Sequence, residues 1–181
     1  MTSGNQVVRA YHGTDHAAAE SIIRDGFKAS NNEYDWLGDG VYFFQDSPQR
    51  AWDWASERHA ATAAVIGADI RLVDCLDLLD PRWARNLADW YDLYVQKIKG
   101  AGGVMPVQAG KAHRLDREVI NYAVGVLGER GITIACVRGA FREGRPVFPG
   151  SHIFDLAHVQ IAVRDCPRCV ERRWVETQPV L

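Results

Sequence analysis

Three residues of types that do chemistry stand in short apolar runs: His12, Tyr42 and Gln160. His12 belongs to Tyr11-His12-Gly13-Thr14, which closes Val7-Val8-Arg9-Ala10-Tyr11, a run with the β-branched and aromatic character of a strand. From Asp15 to Asp25, Ala18, Ile22 and Ile23 fall near helical spacing and Gly26 supplies a stop. A histidine between a strand and a helix is well placed to touch a ligand. Gly13, lacking a Cβ, would let that ligand approach the backbone closely. The tetrapeptide also reads as a polar turn whose histidine caps its own neighbours. Tyr42 within Gly40–Phe44 and Gln160 within His158–Val163 likewise read as a core tyrosine and an outward strand residue.

Two other patterns carry less. Cys166-Pro167-Arg168-Cys169 is a single C-x-x-C, whereas a zinc site needs two more ligands and a redox site needs it between a strand and a helix early in a fold. No metal is expected, and the thiols read as incidental ones near a chain end. Gly100 to Gly110 is rich in glycine, but the spacing to Lys111 and the missing Ser/Thr argue against a phosphate loop.

The elements that must position these residues follow from pattern. Phe27 to Asp39 reads as a polar loop in which Trp36 and Leu37 either form an exposed lid over a ligand or anchor the loop to the core. Gly40 to Phe44 is a strand, and Ser47-Pro48 opens a helix to about Ala61, with one of Trp52 and Trp54 in the core. Ile70 to Leu79 reads as a strand. Pro81 to Lys99 is an amphipathic helix with Trp83, Leu87, Trp90, Tyr91, Tyr94 and Ile98 on its inner face. A helix over Leu115–Leu127, a buried strand over Ile132–Val137, a long loop from Gly139 and the alternating strand His158–Val163 follow. From Arg164 the chain reads as a polar, basic tail with Trp174 as an anchor.

At 181 residues, 47% apolar and 24% charged, the chain suits one soluble globular domain spanning 1–181. A net charge of −2 advertises neither nucleic acid nor an anionic membrane. No stretch reaches a membrane span and no apolar signal core is evident, so the expectation is a cytoplasmic protein that does not engage membranes. Short strands separated by irregular lengths disfavour a doubly wound nucleotide fold. The expected class is α+β, with a split, mostly antiparallel β-sheet core and flanking helices.

His12 in Tyr-His-Gly-Thr, Tyr42 in Leu-Gly-Asp-Gly-Val-Tyr-Phe-Phe and a late polar strand residue, Gln160, resemble the diphtheria-toxin and poly(ADP-ribose)-polymerase type of ADP-ribosyltransferases. Those enzymes carry a His-Tyr-Glu signature, with Gln or Asp in the third place in several branches. The resemblance spans about Val7–Ala55 and Phe154–Val163. It implies NAD as co-substrate, with His12 on the adenosine-side ribose, the Gly13 main chain on the nicotinamide carboxamide, and Tyr42 stacked on the nicotinamide ring. Gln160 would orient the nicotinamide ribose and the nucleophile. Trp36 and Leu37 would lie in the loop covering the dinucleotide, with Thr14 and Gly40 in the flanking motifs. Gly139 to Ala157 would be the target-recognition loop, and His158 would point at the acceptor. Arg9 and Arg50 are candidates for the pyrophosphate.

Gln160 is neutral and cannot act as a base, so single transfer is expected rather than chain elongation, with Glu143 or His158 supplying a base. Asp116 and Glu118 are weaker candidates for it. The implied activity is that of a mono-ADP-ribosyltransferase acting on a protein, nucleic acid or nucleotide. By analogy with toxin and phage-defence effectors, an antitoxin or immunity partner is also implied. The alternatives are an RNA 2′-phosphotransferase-like enzyme, and an inactive module binding ADP-ribose or a nucleic-acid end.

Overall fold

The computed structural model describes residues 6–29, 32, 35–108 and 113–178; part of the 27–39 loop, and Gly110 with Lys111, lie outside them. Strand β1 (Val7–Asp15) runs directly into helix α1 (His16–Asp25). Asp15 makes the change of geometry: its Oδ1 accepts from the Ala18 N–H at 2.8 Å, satisfying a donor at the helix start. Gly26, at φ +92°, ends α1 with its N–H donating to the Ile22 carbonyl at 2.9 Å. His12, Gly13 and Thr14 are therefore strand residues, paired with Ile66, Val65 and Ala64, and not a turn at the strand's exit.

The remaining strands and α-helices are β2 (Val41–Gln45), α2 (Pro48–His59), β3 (Ala63–Arg71), β4 (Cys75–Asp77), α3 (Pro81–Gly100), α4 (Arg114–Glu129), β5 (Cys136–Phe141), β6 (His158–Val163), α5 (Cys166–Cys169) and β7 (Val170–Glu176). The strands form a seven-stranded sheet in the order β4-β5-β6-β2-β1-β3-β7. Every pair is antiparallel except β4 with β5. The fold is α+β.

One junction is thin. β1 pairs with β3 along its whole length, and β2 with β6 along its own, but β1 and β2 are in register only at Ala10↔Gln45 and Tyr11↔Phe44. Beyond Tyr11 the sheet parts into a β4-β5-β6-β2 half and a β1-β3-β7 half.

Three expectations are corrected. The 70–79 strand is two strands, β3 beginning earlier and β4 entered through Asp74 at φ +44°. The strand expected over 132–137 runs from Cys136 to Phe141. The tail is the short helix α5 and the edge strand β7, whose Trp174 lies flat on β3 where Gly67 has no Cβ to obstruct it.

On one sheet face, α1 buries Ala19 and Ile22 against Ala64 and Ile66, beside a core of Val8, Ala10, Phe43, Ile70 and Ile161. On the other, α2 packs Ala51, Trp52 and Ala55 on Tyr11, Phe44 and Val65. There α3 and α4 pack Trp90, Tyr94, Ile120 and Ala123 on Leu76, Val137 and Ala162. The apolar stripe of α3 is narrower than its spacing suggests, since Tyr91 is 40% exposed.

The four cysteines gather in one core cluster. Cys75 and Cys136 are register partners across β4 and β5, Cys169 donates to the Ala135 carbonyl at 3.6 Å, and Cys166 packs on the same cluster. Among the described residues no group of His, Cys, Asp and Glu is arranged to hold a metal ion. No described helix is long and apolar enough to cross a membrane.

Candidate functional site

The parted β1–β2 junction is the first half of the site. The Arg9 carbonyl accepts from the Asp46 N–H at 2.9 Å, so Arg9 directs its peptide groups at β2. In an antiparallel strand, alternate residues turn both backbone groups to the same neighbour. Tyr11 and Gly13 therefore also face β2, and for Gly13 the register with β2 has already ended. The Tyr42 carbonyl, facing back from β2, meets His12 Nδ1 at 2.8 Å. Because a carbonyl only accepts, Nδ1 carries the proton and Nε2 keeps its lone pair. The ring is half-buried, edge-on to Phe27 with centroids 5.6 Å apart and tilted against Phe43 at 5.7 Å. Burial pushes its pKa below the usual histidine value, against the opposing effect of the Tyr42 hydrogen bond. His12 is therefore neutral at pH 7.

Gly13 departs from its expected use. A Cβ there would come within 2.6 Å of the Ala51 carbonyl and 3.0 Å of Trp54, so the missing side chain makes room for α2, not for a ligand. What Gly13 offers elsewhere is its peptide edge, turned toward the gap. Thr14 is buried beside it.

The second half is the 35–40 loop laid against β2, β5 and β6. The Tyr42 hydroxyl accepts from the Leu37 N–H and donates to the Gly38 carbonyl, both at 2.8 Å, clamping the turn. Burial drives its pKa far above the ordinary phenol value, so it stays un-ionised. Leu37 is 0% exposed and anchors the loop, which excludes it as an exposed lid. Trp36 lies across Gly139, where a Cβ would come within 2.9 Å of it, and stacks obliquely on Phe141 at 4.9 Å. Its Nε1–H donates to Gln160 Oε1 at 2.6 Å. That bond fixes the amide, leaving its nitrogen as the end able to meet a ligand. Gly40, at φ +156°, lets the chain pass close to β6, where a Cβ would lie 2.9 Å from the Val163 carbonyl. Asp39 is held from α4 by Arg117 at 2.6 Å and Asn121 at 3.2 Å, supports with no local signal in the sequence.

Next to Gln160 lies a third group. His158 Nδ1 meets the Leu156 carbonyl at 2.6 Å, and its ring packs on Phe44 and Phe141. Burial, seconded by the Arg50 charge, lowers its pKa against the opposing pull of its Leu156 hydrogen bond and Glu143. Arg50 is buried on α2, its Nη2 donating to Glu143 Oε2 at 2.6 Å.

Alternation assigns these residues to faces. Tyr42, Gln160 and His158 share the face covered by α2, α3 and α4, whereas the His12 ring lies on the α1 face and reaches Tyr42 through its main chain. The structure thus brings Trp36, Tyr42, Gln160, His158, Glu143 and Arg50 together. His12 stands across the split from them. Arg9 belongs to neither group: it sits 3.5 Å from Asp69, over the Trp174 ring, in an open groove of about 520 Å³ shared with Arg172 and Arg173.

Comparison of the chain with family models, with curated proteins and with solved structures finds no match.

Proposed function

We propose that the chain is an NAD-consuming mono-ADP-ribosyltransferase, which breaks the bond between nicotinamide and ribose and passes ADP-ribose to a protein or nucleic-acid acceptor. The observation that carries this reading is the Gly13 peptide edge, turned toward β2 where strand pairing has stopped. An N–H and a C=O on one edge complement a carboxamide, and a ligand seated in the split could meet groups from both sheet faces. His12 Nε2 accepts from a ribose hydroxyl on one side, and the Gln160 amide donates to one on the other. Nicotinamide departs with the bonding electrons of the glycosidic bond, and the acceptor's nucleophile replaces it at the ribose carbon, its proton passing to water. Gln160 orients that ribose without offering charge to the developing cation, so slow turnover is expected.

Purified protein incubated with NAD should release nicotinamide, and His12→Ala or Tyr42→Ala should lower the rate by about tenfold or more, in the range of positioning effects. Gln160→Glu keeps an oxygen for Trp36 and adds a negative charge, and should raise the rate. Undiminished turnover in His12→Ala and Tyr42→Ala overturns the site. The hold of Trp36 on Gln160 favours one second reading, a module that binds ADP-ribose without turnover. NAD raising the melting temperature with no nicotinamide released selects it.

A further inference from the structure

Among the described residues two arginines are buried, and they are partnered very differently. Arg138 satisfies all three nitrogens: Nε and Nη2 fork onto Asp77 at 3.0 and 2.7 Å, and Nη1 reaches Gln45 Oε1 at 3.4 Å. Arg50 is just as enclosed, at 7% exposure, yet only its Nη2 is used, against a single oxygen of Glu143. Its Nε and Nη1 are buried with no hydrogen-bond partner, and so is His158 Nε2. The guanidinium carbon stands 5.2 Å from the centre of the Phe44 ring and the His158 ring 4.9 Å from the same centre, so these orphaned atoms gather around one aromatic floor. A buried donor or acceptor left unmet is costly, and two donors and one acceptor so stranded in one corner point to a guest.

The hydrogen-bonding inventory says what the guest is. A guanidinium offers two forks, Nε with Nη2 and Nη1 with Nη2, and a one-point contact to Glu143 completes neither. Two oxygens of one oxyanion complete a fork. His158 gives its Nδ1 proton to Leu156, so Nε2 is an acceptor in the neutral ring and needs an O–H. A carboxylate has no O–H to give at neutral pH. A hydrogen phosphate or a phosphomonoester near its second pKa has both the oxygens and the proton.

We propose that the corner formed by Arg50, His158 and Phe44 binds a terminal phosphate group, which takes the place of the Glu143 carboxylate on Arg50. The loop after β5 carries Glu143 and is exposed at Arg145, Pro146 and Val147, so the carboxylate can leave without unpacking the core. The site stands beside Gln160 but does not depend on the transferase reading.

The test is binding of inorganic phosphate to the full chain in the absence of NAD, by calorimetry and by the imidazole NMR signal of His158. Saturable binding that shifts that signal is expected. Glu143→Gln, which removes the competing carboxylate, should tighten binding about fivefold to tenfold. Arg50→Lys, which keeps the charge but loses the fork, should weaken it by tenfold or more. Acetate should bind more weakly than phosphate. Adenosine 5′-monophosphate compared with adenosine tells whether a phosphate borne on a nucleotide is accepted as well as the free ion. Equal binding by wild type and a folded Arg50→Lys overturns the site. Unchanged or weaker binding by Glu143→Gln overturns the exchange. Since NAD is absent, either result leaves the nicotinamide assay to decide the transferase reading separately.

Discussion

At the scale of single residues, the site depends on side chains held in one protonation state. The His12 imidazole is tied to the Tyr42 carbonyl and its pKa is lowered chiefly by burial, so unfolded chains take up a proton first, at about pH 6.5. Its contribution to stability is complete above that pH and is lost as the pH falls toward the folded value. His158 acts in the same direction. Thermal unfolding between pH 7.5 and 5 should show a falling melting temperature, and His12→Asn, which keeps a donor for the carbonyl but cannot titrate, should flatten that slope. An unchanged slope in both His12→Asn and His158→Asn rejects burial of the neutral rings as its cause. Residue types were legible from the start, since His12, Tyr42 and Gln160 stood out by setting. Their pairing was not: Trp36 and Gln160 lie far apart in sequence, and no local pattern records the bond between them.

At the scale of elements, the 35–40 loop is shaped by one phenol. Tyr42→Phe removes both hydrogen bonds to Leu37 and Gly38 while keeping the ring. Stability should fall by about 1–3 kcal/mol, the usual cost of stranding buried backbone groups. Amide exchange at Leu37 should quicken by about fivefold to a hundredfold, each factor of ten being about 1.4 kcal/mol. Protection equal to wild type removes the clamp from the account. The packing of α2 on β1 hangs on Gly13 in the same way. In Gly13→Ala the new methyl meets main-chain oxygen, which cannot swing aside, so urea unfolding should show a loss of about 1–3 kcal/mol. Two elements escaped sequence reading, the short helix α5 and the strand β7. Val170-Glu171-Arg172-Arg173-Trp174-Val175-Glu176 is charged and lies at the sheet edge, where charge guards against stray pairing and hides the alternation of a strand.

At the scale of the whole molecule, the sheet is two halves joined by a short stretch of paired backbone, with helices on both faces. Hydrophobic period and end signals, which act over a few residues, already determine the α+β class, α1 to α4, and the strands that carry His12, Tyr42 and Gln160. Other features arise only when distant segments meet. These include the point at which β1 leaves β2, the opposite faces taken by His12 and Tyr42, the filling of the Gly13 space by α2, and the gathering of the four thiols. Arg50 shows the difference most plainly. In the sequence it is one basic residue of a helix, and only burial against Phe44 leaves two of its nitrogens without a hydrogen-bond partner. Local pattern sets which segments are strands and helices, because that choice depends on neighbours along the chain. Desolvation and register depend on neighbours in space, and they decided what each side chain can bind.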